Sequence, residues 1–504
     1  MKINLIEYLN ETVNKFSHKV AIDDNQSPVL FSELNEISTK IASTIISINI
    51  TARQPISVFL PKNRMSVFAF LGIAKSGNFY IPLDTKSPVD RISKISNNLN
   101  SKILITDLAH YELVNSIGFK GTILVIEDVI NSSISDLNGL EVQKVSQKII
   151  DLDPLYAIYT SGSTGNPKGV LISHKGVIDF IEWAKNTYSI DETAIIGNQA
   201  PFYFDVSTLD IYMMVVTGAT LVIIPEDRFT FPIKLIEFIN QKNVNTICWV
   251  PSVLNSVSNF DVFSALKPTS LQNIFFAGEP MPNKHLNYWR KNYPNALYAN
   301  LYGPTEITVI CTYYNVNRAF NDDESLPIGN ACHNTNLLII LENGSQANKG
   351  QMGELCVRGS GLAFGYFNDL EKTKLAFVQN PLHDLYPDLV YKTGDLVYEN
   401  EYDEIMFVGR KDSQIKHMGY RIELGEIETA ILGINGVNNA CVLYDENSKQ
   451  IVGFFISEKS YIEIRKELLK TIPKYMIPTK WVQKETFILN ANGKTNKLAL
   501  KELI

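Results

Sequence analysis

Cysteine is scarce in this chain, and the spacings typical of zinc sites are absent. The 504 residues contain five cysteines (Cys248, Cys311, Cys332, Cys356 and Cys441), all far apart and none in a Cys-x-x-Cys pair. An odd number of widely separated cysteines argues against a secreted disulfide framework and against a structural zinc site. We therefore expect a protein of a reducing compartment, and we assign it to the cytoplasm.

Long apolar runs and long runs of like charge are also missing. No stretch reaches the ~18 apolar residues of a membrane span, and Glu7, Asn10 and Glu11 interrupt the region where a signal peptide would be apolar. The net charge is −7, with no basic arm. The sequence therefore predicts neither a membrane nor a nucleic-acid partner. Its length predicts two or more domains.

Short β-branched segments alternate with amphipathic segments through most of the chain. A helix is predicted at 231–243, and strands are predicted at 55–61, 102–107, 122–128, 219–225, 245–251 and 271–279. This alternation predicts an α/β architecture with largely parallel sheets. After Leu326, strands punctuated by glycine indicate a β-rich subdomain. The C-terminal part mixes strands and helices, with a hairpin predicted at 437–457 and a helix at 460–472.

The segment YTSGSTGNPKGV, residues 159–170, combines glycines, hydroxyls and one lysine. Successive backbone N–H groups in such a loop form a concavity that binds anions. The loop follows a strand-like segment, and helical spacing comes after it, as in sites that bind phosphates. It differs from the common P-loop pattern. We favour a phosphate-binding loop over a flexible linker, with candidate ligands Thr160, Ser161, Gly162, Ser163, Thr164 and Lys168.

Four further polar segments stand far apart in the sequence. NLYGPTE (300–306) offers the flat ring of Tyr302 and two oxygen ligands suited to Mg²⁺, from Thr305 and Glu306. YKTGDL (391–396) places Asp395 after a strand, where its carboxylate could accept both hydroxyls of a ribose. FVGRKD (407–412) and NANGKTNK (490–497) place charged residues on turns. Taken singly, each segment is also compatible with an ordinary turn, an Asx-turn or a solvated charge.

Taken together and in this order, these segments resemble the core motifs of the adenylate-forming superfamily. GELCVRGSGLAFGYF (353–367) and GRKDSQIKHMGYRIELGEIE (409–428) belong to the same ordered set. Within the superfamily, the chain looks like an amino-acid adenylation domain of nonribosomal peptide synthesis, from about Glu7 to its C-terminus. The resemblance implies an α/β fold with two domains. A large N-terminal domain (1–411) has parallel-rich sheets and a β-subdomain, and a small mobile α+β domain (412–504) follows a hinge at Asp412.

The resemblance also implies a reaction. An amino acid and ATP, with Mg²⁺, give an aminoacyl-adenylate and pyrophosphate, and the acyl group then passes to the phosphopantetheine thiol of a carrier protein. We expect a separate carrier, because only ten residues follow Lys494. The phosphate loop would hold the β- and γ-phosphates. Lys494 would lie between the substrate carboxylate and the α-phosphate, where its charge lowers the barrier.

The remaining roles follow from the same resemblance. Thr305 and Glu306 belong to the catalytic group, and Glu306 positions Mg²⁺. Tyr302 stacks on adenine, whereas Asp395 and Arg410 hold the ribose. The other residues implied for the nucleotide site are Gly278, Glu279, Pro280, Asn300, Leu301, Gly303, Pro304 and Phe407.

The segment FYFDVSTLD, residues 202–210, resembles the family motif that recognises the substrate amino group. Asp205 would accept hydrogen bonds from that group, although a helix N-cap is an alternative role for it. Aligning the motifs gives the pocket wall, which contains no charged residue: Val206, Leu209, Cys248, Phe275, Ala277, Leu301, Val309 and Ile310. Such a wall rejects charged side chains, because their burial would be uncompensated.

The expected substrate is thus a small or medium apolar amino acid. The pocket resembles that of stand-alone proline activators, so L-proline is the first hypothesis. D-alanine activation for teichoic acids is the second, although those enzymes usually carry cysteine where this chain has Ala277. An acyl-CoA ligase is disfavoured by Asp205. A non-catalytic nucleotide-binding relative is disfavoured by Lys494, Asp395 and Glu306.

Overall fold

The computed structural model describes residues 2–48, 51–132, 136–162, 167–488 and 497–504. The chain forms two compact units. The first comprises Met1–Leu83, Ser101–Ile158 and Gly169–Lys411, and the second comprises Asp84–Asn100, Tyr159–Lys168 and Asp412–Ile504. One unit boundary thus falls between Lys411 and Asp412. The second unit also includes two segments that the sequence analysis placed in the N-terminal domain.

The strands follow the predicted alternation with helices through the first half of the chain. They are β1 (Val20–Asp23), β2 (Val29–Leu30), β3 (Pro55–Phe59), β4 (Phe79–Pro82), β5 (Ile103–Thr106), β6 (Thr122–Val125), β7 (Pro154–Thr160), β8 (Lys168–Ser173), β9 (Ile195–Asn198), β10 (Thr220–Ile223), β11 (Thr246–Trp249), β12 (Asn273–Ala277) and β13 (Leu297–Tyr302).

Strands dominate the part that follows, as expected from its glycine punctuation. They are β14 (Thr312–Asn315), β15 (Asn330–Ala331), β16 (Thr335–Ile340), β17 (Gly353–Gly359), β18 (Gly365–Tyr366), β19 (Phe377–Gln379), β20 (Leu389–Glu399), β21 (Ile405–Arg410), β22 (Gln414–His417), β23 (Tyr420–Glu423), β24 (Val437–Asp445), β25 (Gln450–Ser457) and β26 (Lys480–Gln483).

The helices mostly occupy the stretches between parallel strands and the C-terminal part. They are α1 (Leu5–Phe16), α2 (Phe31–Ser47), α3 (Arg64–Lys75), α4 (Val89–Leu99), α5 (Tyr111–Ser116), α6 (Ile126–Asn131), α7 (Asp136–Ser146), α8 (His174–Tyr188), α9 (Ser207–Thr217), α10 (Pro232–Gln241), α11 (Pro251–Asn259), α12 (Asn283–Asn292), α13 (Leu370–Ala376), α14 (Leu424–Leu432), α15 (Tyr461–Leu468) and α16 (Lys497–Lys501).

Two large sheets carry the first unit. In the described part of the chain, one has nine strands in the order β15-β14-β13-β12-β11-β9-β10-β1-β2, and the other has seven in the order β18-β8-β7-β4-β3-β5-β6. Neighbouring strands from β10 through β9, β11 and β12 to β13 are all parallel. Strands such as β3 and β4 are buried along their whole length, as expected when helices cover both faces of a parallel sheet.

The structure confirms the predicted strands and helices, with two differences. The strand predicted at 122–128 ends at Val125, because Ile126 begins α6, whose first turn carries Glu127 and Asp128 as acids suited to a helix N-terminus. The phosphate loop does not lead directly into a helix. It connects β7 to β8, a neighbouring strand of the same sheet. Helix α8 begins only at His174, where the Ser173 side chain accepts the Gly176 N–H as an N-cap.

A β-rich subdomain follows Leu326, as predicted. Strands β16, β17, β20 and β19 pair in that order, and β21 pairs with β20. The strands of this sheet are antiparallel. The pairing of β17 with β20 shifts register between Glu354 and Cys356, and this irregularity lies beside the predicted ribose site.

The second unit contains the predicted C-terminal hairpin and helix. Strands β24 and β25 pair antiparallel, and β26 joins β25 in parallel. Helix α15 starts with a capping box formed by Ser460 and Glu463. A separate apolar cluster that includes Ile427, Phe455 and Leu468 gives this unit a core of its own.

Candidate active site

Three parallel strands of the large sheet end close together. Strands β11, β12 and β13 pair in register, with Cys248 opposite Phe275 and Ala277 opposite Leu301. The carboxyl ends of parallel strands meet at one edge of a sheet, which is where α/β folds place their ligands. The structure thus brings four predicted pocket residues to one edge, although they lie tens of residues apart in sequence.

The residues of the predicted pocket wall belong to a single apolar cluster. Leu209, Cys248, Phe275, Ala277, Leu301, Val309 and Ile310 are all buried members of the first unit's main core, and the partly buried Val206 packs against it. Burial raises the pKa of the Cys248 thiol well above its usual value, so this thiol is neutral. The wall therefore offers apolar surface and one weak hydrogen-bonding group.

Two polar side chains that the sequence reasoning did not assign lie beside this wall. Asp210 is fully buried. Its side chain accepts a hydrogen bond of 2.8 Å from Asn198 Nδ2, and burial raises its pKa to about 7. The Tyr188 ring lies 4.4 Å from the Phe275 ring, centroid to centroid, and its buried hydroxyl has no hydrogen-bond partner among the described residues. Asp210 is the last residue of the motif 202–210, whereas no sequence signal marked Tyr188.

Asp205 lies just before helix α9 and is not its N-cap. The N-cap position is Val206. The Asp205 backbone carbonyl accepts two hydrogen bonds from Thr208, one from its N–H at 2.9 Å and one from its hydroxyl at 2.6 Å. These contacts are made by the Asp205 backbone, and the N-cap position belongs to the residue that follows it.

A strained turn forms the wall at Val309. The Ile310 N–H donates to the Thr308 carbonyl at 2.9 Å, which closes a γ-turn around Val309. Thr308 and Val309 have φ of 56° and 72°, a region that β-branched residues rarely adopt. Gly303 permits this turn, because a Cβ at that position would lie 2.3 Å from the Val309 carbonyl oxygen. Strain of this kind concentrates at functional sites.

The predicted ribose ligands form a compact buried group. Arg410 Nη1 donates to Asp395 Oδ1, and the Tyr302 hydroxyl donates to Asp395 Oδ2. Burial, followed by the Asp395 carboxylate, raises the pKa of Tyr302. Two expectations are corrected. Asp395 lies within β20 at its irregularity, not after a strand, and Arg410 is the last residue of β21 rather than part of a turn.

Glu306 is fully buried, one residue into a short 3₁₀ turn that begins at Thr305. The Tyr366 hydroxyl donates to Glu306 Oε1 at 2.9 Å, and the Ala363 N–H donates to the Glu306 carbonyl at 2.9 Å. Tyr366 lies in the glycine-rich motif 353–367, and nothing in that motif predicted a role for it. Tyr366 orients the carboxylate that the sequence analysis assigned to Mg²⁺.

The described part of the phosphate loop holds a carboxylate. Within the second unit, the Gly162 N–H donates to Glu426 Oε2 at 3.3 Å, and the Ser161 hydroxyl donates to the Arg421 carbonyl at 2.7 Å. Glu426 also pairs with Arg91, although burial raises the pKa of its carboxyl. A loop amide that already faces an anion fits the predicted affinity for phosphate.

The structure describes only some of the other residues predicted for the phosphate loop and for catalysis. Lys168 begins β8, and the buried Thr160 hydroxyl has no hydrogen-bond partner within the described ranges. Ser163, Thr164 and Lys494 lie outside the described residues, so their predicted roles stay predictions.

The remaining residues of the predicted nucleotide site have structural contacts of their own. Asn300 Nδ2 donates to the Pro327 carbonyl at 2.8 Å. Glu279 Oε2 accepts the Ser252 N–H at 3.1 Å, near the start of α11. The neighbouring Gly278 has φ of 94°. Pro280 is exposed, whereas Pro304 and Phe407 are half-buried.

Similar proteins define the class to which this architecture belongs. The structure resembles the Vibrio cholerae adenylation domain AlmE in complex with glycyl-adenosine-5'-phosphate, with a TM-score of 0.84, 21% identity, and coverage of 100% of this chain and 98% of that one. It also resembles a double mutant of the o-succinylbenzoate CoA synthetase of Bacillus subtilis, with a TM-score of 0.85, 20% identity and coverage of 99% and 98%. The fold is therefore the adenylate-forming fold.

The sequence comparison identifies the family. Residues 9–367 match the family described as AMP-binding enzyme, and the chain belongs to that family. It is 32% identical to the D-alanine–D-alanyl carrier protein ligase of Bacillus licheniformis, over 98% of this chain and 99% of that protein. It is equally identical to a mycosubtilin synthase of Bacillus subtilis, over 98% of this chain but only 19% of that protein. No helix in the described residues is long and apolar enough to cross a membrane.

Proposed function

We propose that the protein is an amino acid–carrier protein ligase that activates its substrate as an aminoacyl-adenylate. The observation that carries this proposal is the group formed by Asp395, Arg410 and Tyr302, which lies in one buried cluster. A buried carboxylate flanked by a guanidinium and an aromatic ring suits a ribose with its base. The relatives named above support the same class of reaction.

The substrate carboxylate would itself attack the α-phosphate, so no protein nucleophile is required. The carboxylate and the phosphate repel each other, and negative charge grows on the phosphorus oxygens in the transition state. Lys494 would neutralise both groups, and a contact of this kind contributes ~3–4 kcal/mol. The phosphate loop would meanwhile hold the leaving pyrophosphate through its backbone N–H groups.

The donor set fits Mg²⁺ better than a metal that demands several protein ligands. In the described residues no group of three or more His, Cys, Asp or Glu side chains could hold a metal ion. Glu306 supplies one carboxylate and Thr305 one hydroxyl, and Mg²⁺ typically takes one or two carboxylates together with substrate phosphates and water. When bound, Mg²⁺ would neutralise charge on the pyrophosphate.

L-proline is the substrate that we propose first. The apolar wall would bury its three methylenes, and its N–H₂⁺ would still face Asp205. Each buried methylene contributes ~0.8 kcal/mol, so alanine should bind less tightly in a pocket of this size. D-alanine is the second candidate, because the D-alanine–D-alanyl carrier protein ligase named above matches this chain along nearly its whole length.

The decisive experiment is ATP–pyrophosphate exchange with each of the twenty amino acids and D-alanine. We expect L-proline to give the highest rate, with other small apolar amino acids behind it. Discrimination against valine should be modest, because apolar pockets separate single methylenes by only ~1–3 kcal/mol. If D-alanine gave the highest rate, the second candidate substrate would be correct. If a charged amino acid gave the highest rate, the assignment of the apolar pocket wall would be wrong. Exchange with none of them would refute the ligase.

A variant of Lys494 tests the proposed mechanism separately from specificity. Lys494→Ala should nearly abolish exchange while leaving ATP affinity mostly intact, because the charge acts chiefly in the transition state. If the exchange rate of the variant stayed within a few-fold of wild type, Lys494 would have no catalytic role in adenylation.

A further inference from the structure

A buried glutamate lies between the ribose group and the end of the first unit. Glu354 is on β17 and is 7% exposed. Its Oε1 accepts the Gly394 N–H at 3.1 Å, and its Oε2 lies 3.2 Å from Lys411 Nζ and 3.8 Å from Lys392 Nζ. Gly394 directly precedes the proposed ribose ligand Asp395, and Lys411 directly precedes the predicted hinge residue Asp412.

The contact between Glu354 and Gly394 lies at the register shift between β17 and β20. Glu354 pairs with Leu396 and Cys356 pairs with Lys392, so Leu355 alone faces the three residues 393–395. The extra residues of such a bulge cannot join the regular ladder of hydrogen bonds, and the bulge re-aims the side chains beside it. Asp395 is the last residue of this bulge, and its side chain contacts Tyr302 and Arg410.

Specific partners satisfy the backbone of the bulge. The Asp395 N–H donates to the Thr393 hydroxyl at 3.0 Å, and that hydroxyl donates to the Leu355 carbonyl at 2.7 Å. The Gly394 carbonyl accepts the Lys411 N–H at 2.9 Å. The Gly394 N–H depends on Glu354. Without that carboxylate the partly buried Gly394 N–H would lose its partner, and the bulge would relax to recover one.

We propose that Glu354 is a positioning residue for ribose recognition, acting on Asp395 through Gly394. This inference rests on the proposed function, in which Asp395 binds the ribose hydroxyls. Glu354 does not touch the nucleotide in this scheme. It holds the backbone that aims the carboxylate, and its ion pairs with Lys392 and Lys411 hold the glutamate in turn.

The two roles of the glutamate can be separated by substitution. Glu354→Gln retains an oxygen that accepts the Gly394 N–H and removes the charge that pairs with the lysines. Glu354→Ala removes both. Glu354→Asp retains the charge but is one methylene too short for the 3.1 Å contact. Glu404→Ala is a matched control, because Glu404 is a half-buried glutamate beside the same sheet that accepts from Asn400 and pairs with Arg318.

The test is the equilibrium affinity of each variant for ATP and for 2′-deoxy-ATP, measured by calorimetry. Wild type should prefer ATP by about tenfold or more, since a hydrogen bond to a charged group is worth that much in Kd. Glu354→Ala should bring this preference close to unity, mainly by weakening ATP. Glu354→Gln and the control Glu404→Ala should retain it. If Glu354→Ala fails to fold, Glu354→Asp takes its place, and its affinity for ATP relative to 2′-deoxy-ATP should also fall close to unity.

Different results would contradict the role of Glu354 and the proposed function on which it rests. If Glu354→Ala weakens both nucleotides equally and retains the preference, the glutamate has only a structural role and the inference is overturned. If Glu354→Gln loses the preference as completely as Glu354→Ala, the lysine pairs are what matter, which also overturns the route through Gly394. If wild type itself shows no preference or does not bind ATP, the proposed function falls first.

Discussion

At the scale of single residues, the Asp205 carboxylate is the sharpest test of the substrate class. We predict that Asp205→Ala raises the amino-acid KM by roughly 10–100-fold, because the substrate ammonium loses a charge-assisted partner beside an apolar wall. ATP affinity should stay near the wild-type value. Exchange kinetics as a function of amino-acid concentration measure the effect. Unaltered amino-acid kinetics would favour an acyl-CoA ligase instead.

His174 is a second residue whose environment determines a measurable property. Its ring is fully buried, and burial lowers its pKa to about 4. The Leu5 N–H donates to His174 Nδ1 at 3.3 Å, so the folded protein needs the neutral ring as an acceptor. Between about pH 4 and the unfolded value of ~6.5, the unfolded chain binds a proton that the folded chain does not. The stability that this residue contributes is therefore complete at neutral pH and is lost as the pH falls.

We predict that this loss disappears in His174→Asn, whose side-chain oxygen can still accept from Leu5. Between pH 7 and about pH 5, protonation of His174 in the unfolded chain should lower the unfolding free energy of the wild-type protein by ~2 kcal/mol. The variant should lack this decrease. Urea unfolding at several pH values measures the difference in slope. Parallel pH profiles for the two proteins would show that His174 titrates normally.

At the scale of elements, the packing of α2 against α3 depends on a close approach at Gly72. A Cβ at this position would lie 2.6 Å from both Cβ and Cγ2 of Ile41, and 3.0 Å from the Ser38 carbonyl oxygen. Cβ and the carbonyl oxygen belong to the rigid part of α2 and cannot rotate away. The two helices would have to separate to admit even a methyl group.

We therefore predict that Gly72→Ala destabilises the protein by ~1–3 kcal/mol, since overpacking outweighs the helix propensity that alanine gains. Gly139→Ala is the matched control. Gly139 is also helical, and a Cβ there would meet no atom of the described residues within 4 Å, so this change should stabilise by up to ~1 kcal/mol. Thermal unfolding of both variants decides the point. If both changes raise Tm, the close approach does not constrain the helices.

At the scale of the whole molecule, the division of the chain at Asp412 suggests how two half-reactions share one enzyme. Asp412 begins the C-terminal segment of the second unit, and its Oδ1 accepts the Gln414 N–H at 3.1 Å. Hinges are a few residues that absorb large changes in φ and ψ. Our hypothesis is that Asp412 is such a hinge.

The prediction is that Asp412→Pro separates the two half-reactions. Proline fixes φ near about −65° and removes an N–H, so one backbone geometry should be favoured and the other lost. Pyrophosphate exchange reports adenylation, and loading of a phosphopantetheinylated carrier reports transfer. One should be spared and the other impaired. Equal losses in both assays would argue against alternation at this residue.

The sequence alone determined the class of fold, the family and the order of the motifs. Glycine-rich turns, strand periodicity and the charged ends of strands are local signals, because each depends on residues that are neighbours in the chain. The same local reasoning predicted the hairpin at 437–457. The resemblance to the family gave the pocket residues, which belong to one apolar core. Contacts between motifs carry no such local signal.

Only the tertiary structure decided how those motifs meet. Strand pairing placed β8 between the phosphate loop and its helix. The pairing of β20 with β21 placed Asp395 opposite Arg410, and the bulge in β20 placed the Gly394 N–H against Glu354. Packing placed Asp210 and Tyr188 beside the pocket wall and buried Glu306 against Tyr366. These contacts join residues far apart in sequence, and their geometry depends on the register of whole sheets, which no short stretch of residues encodes.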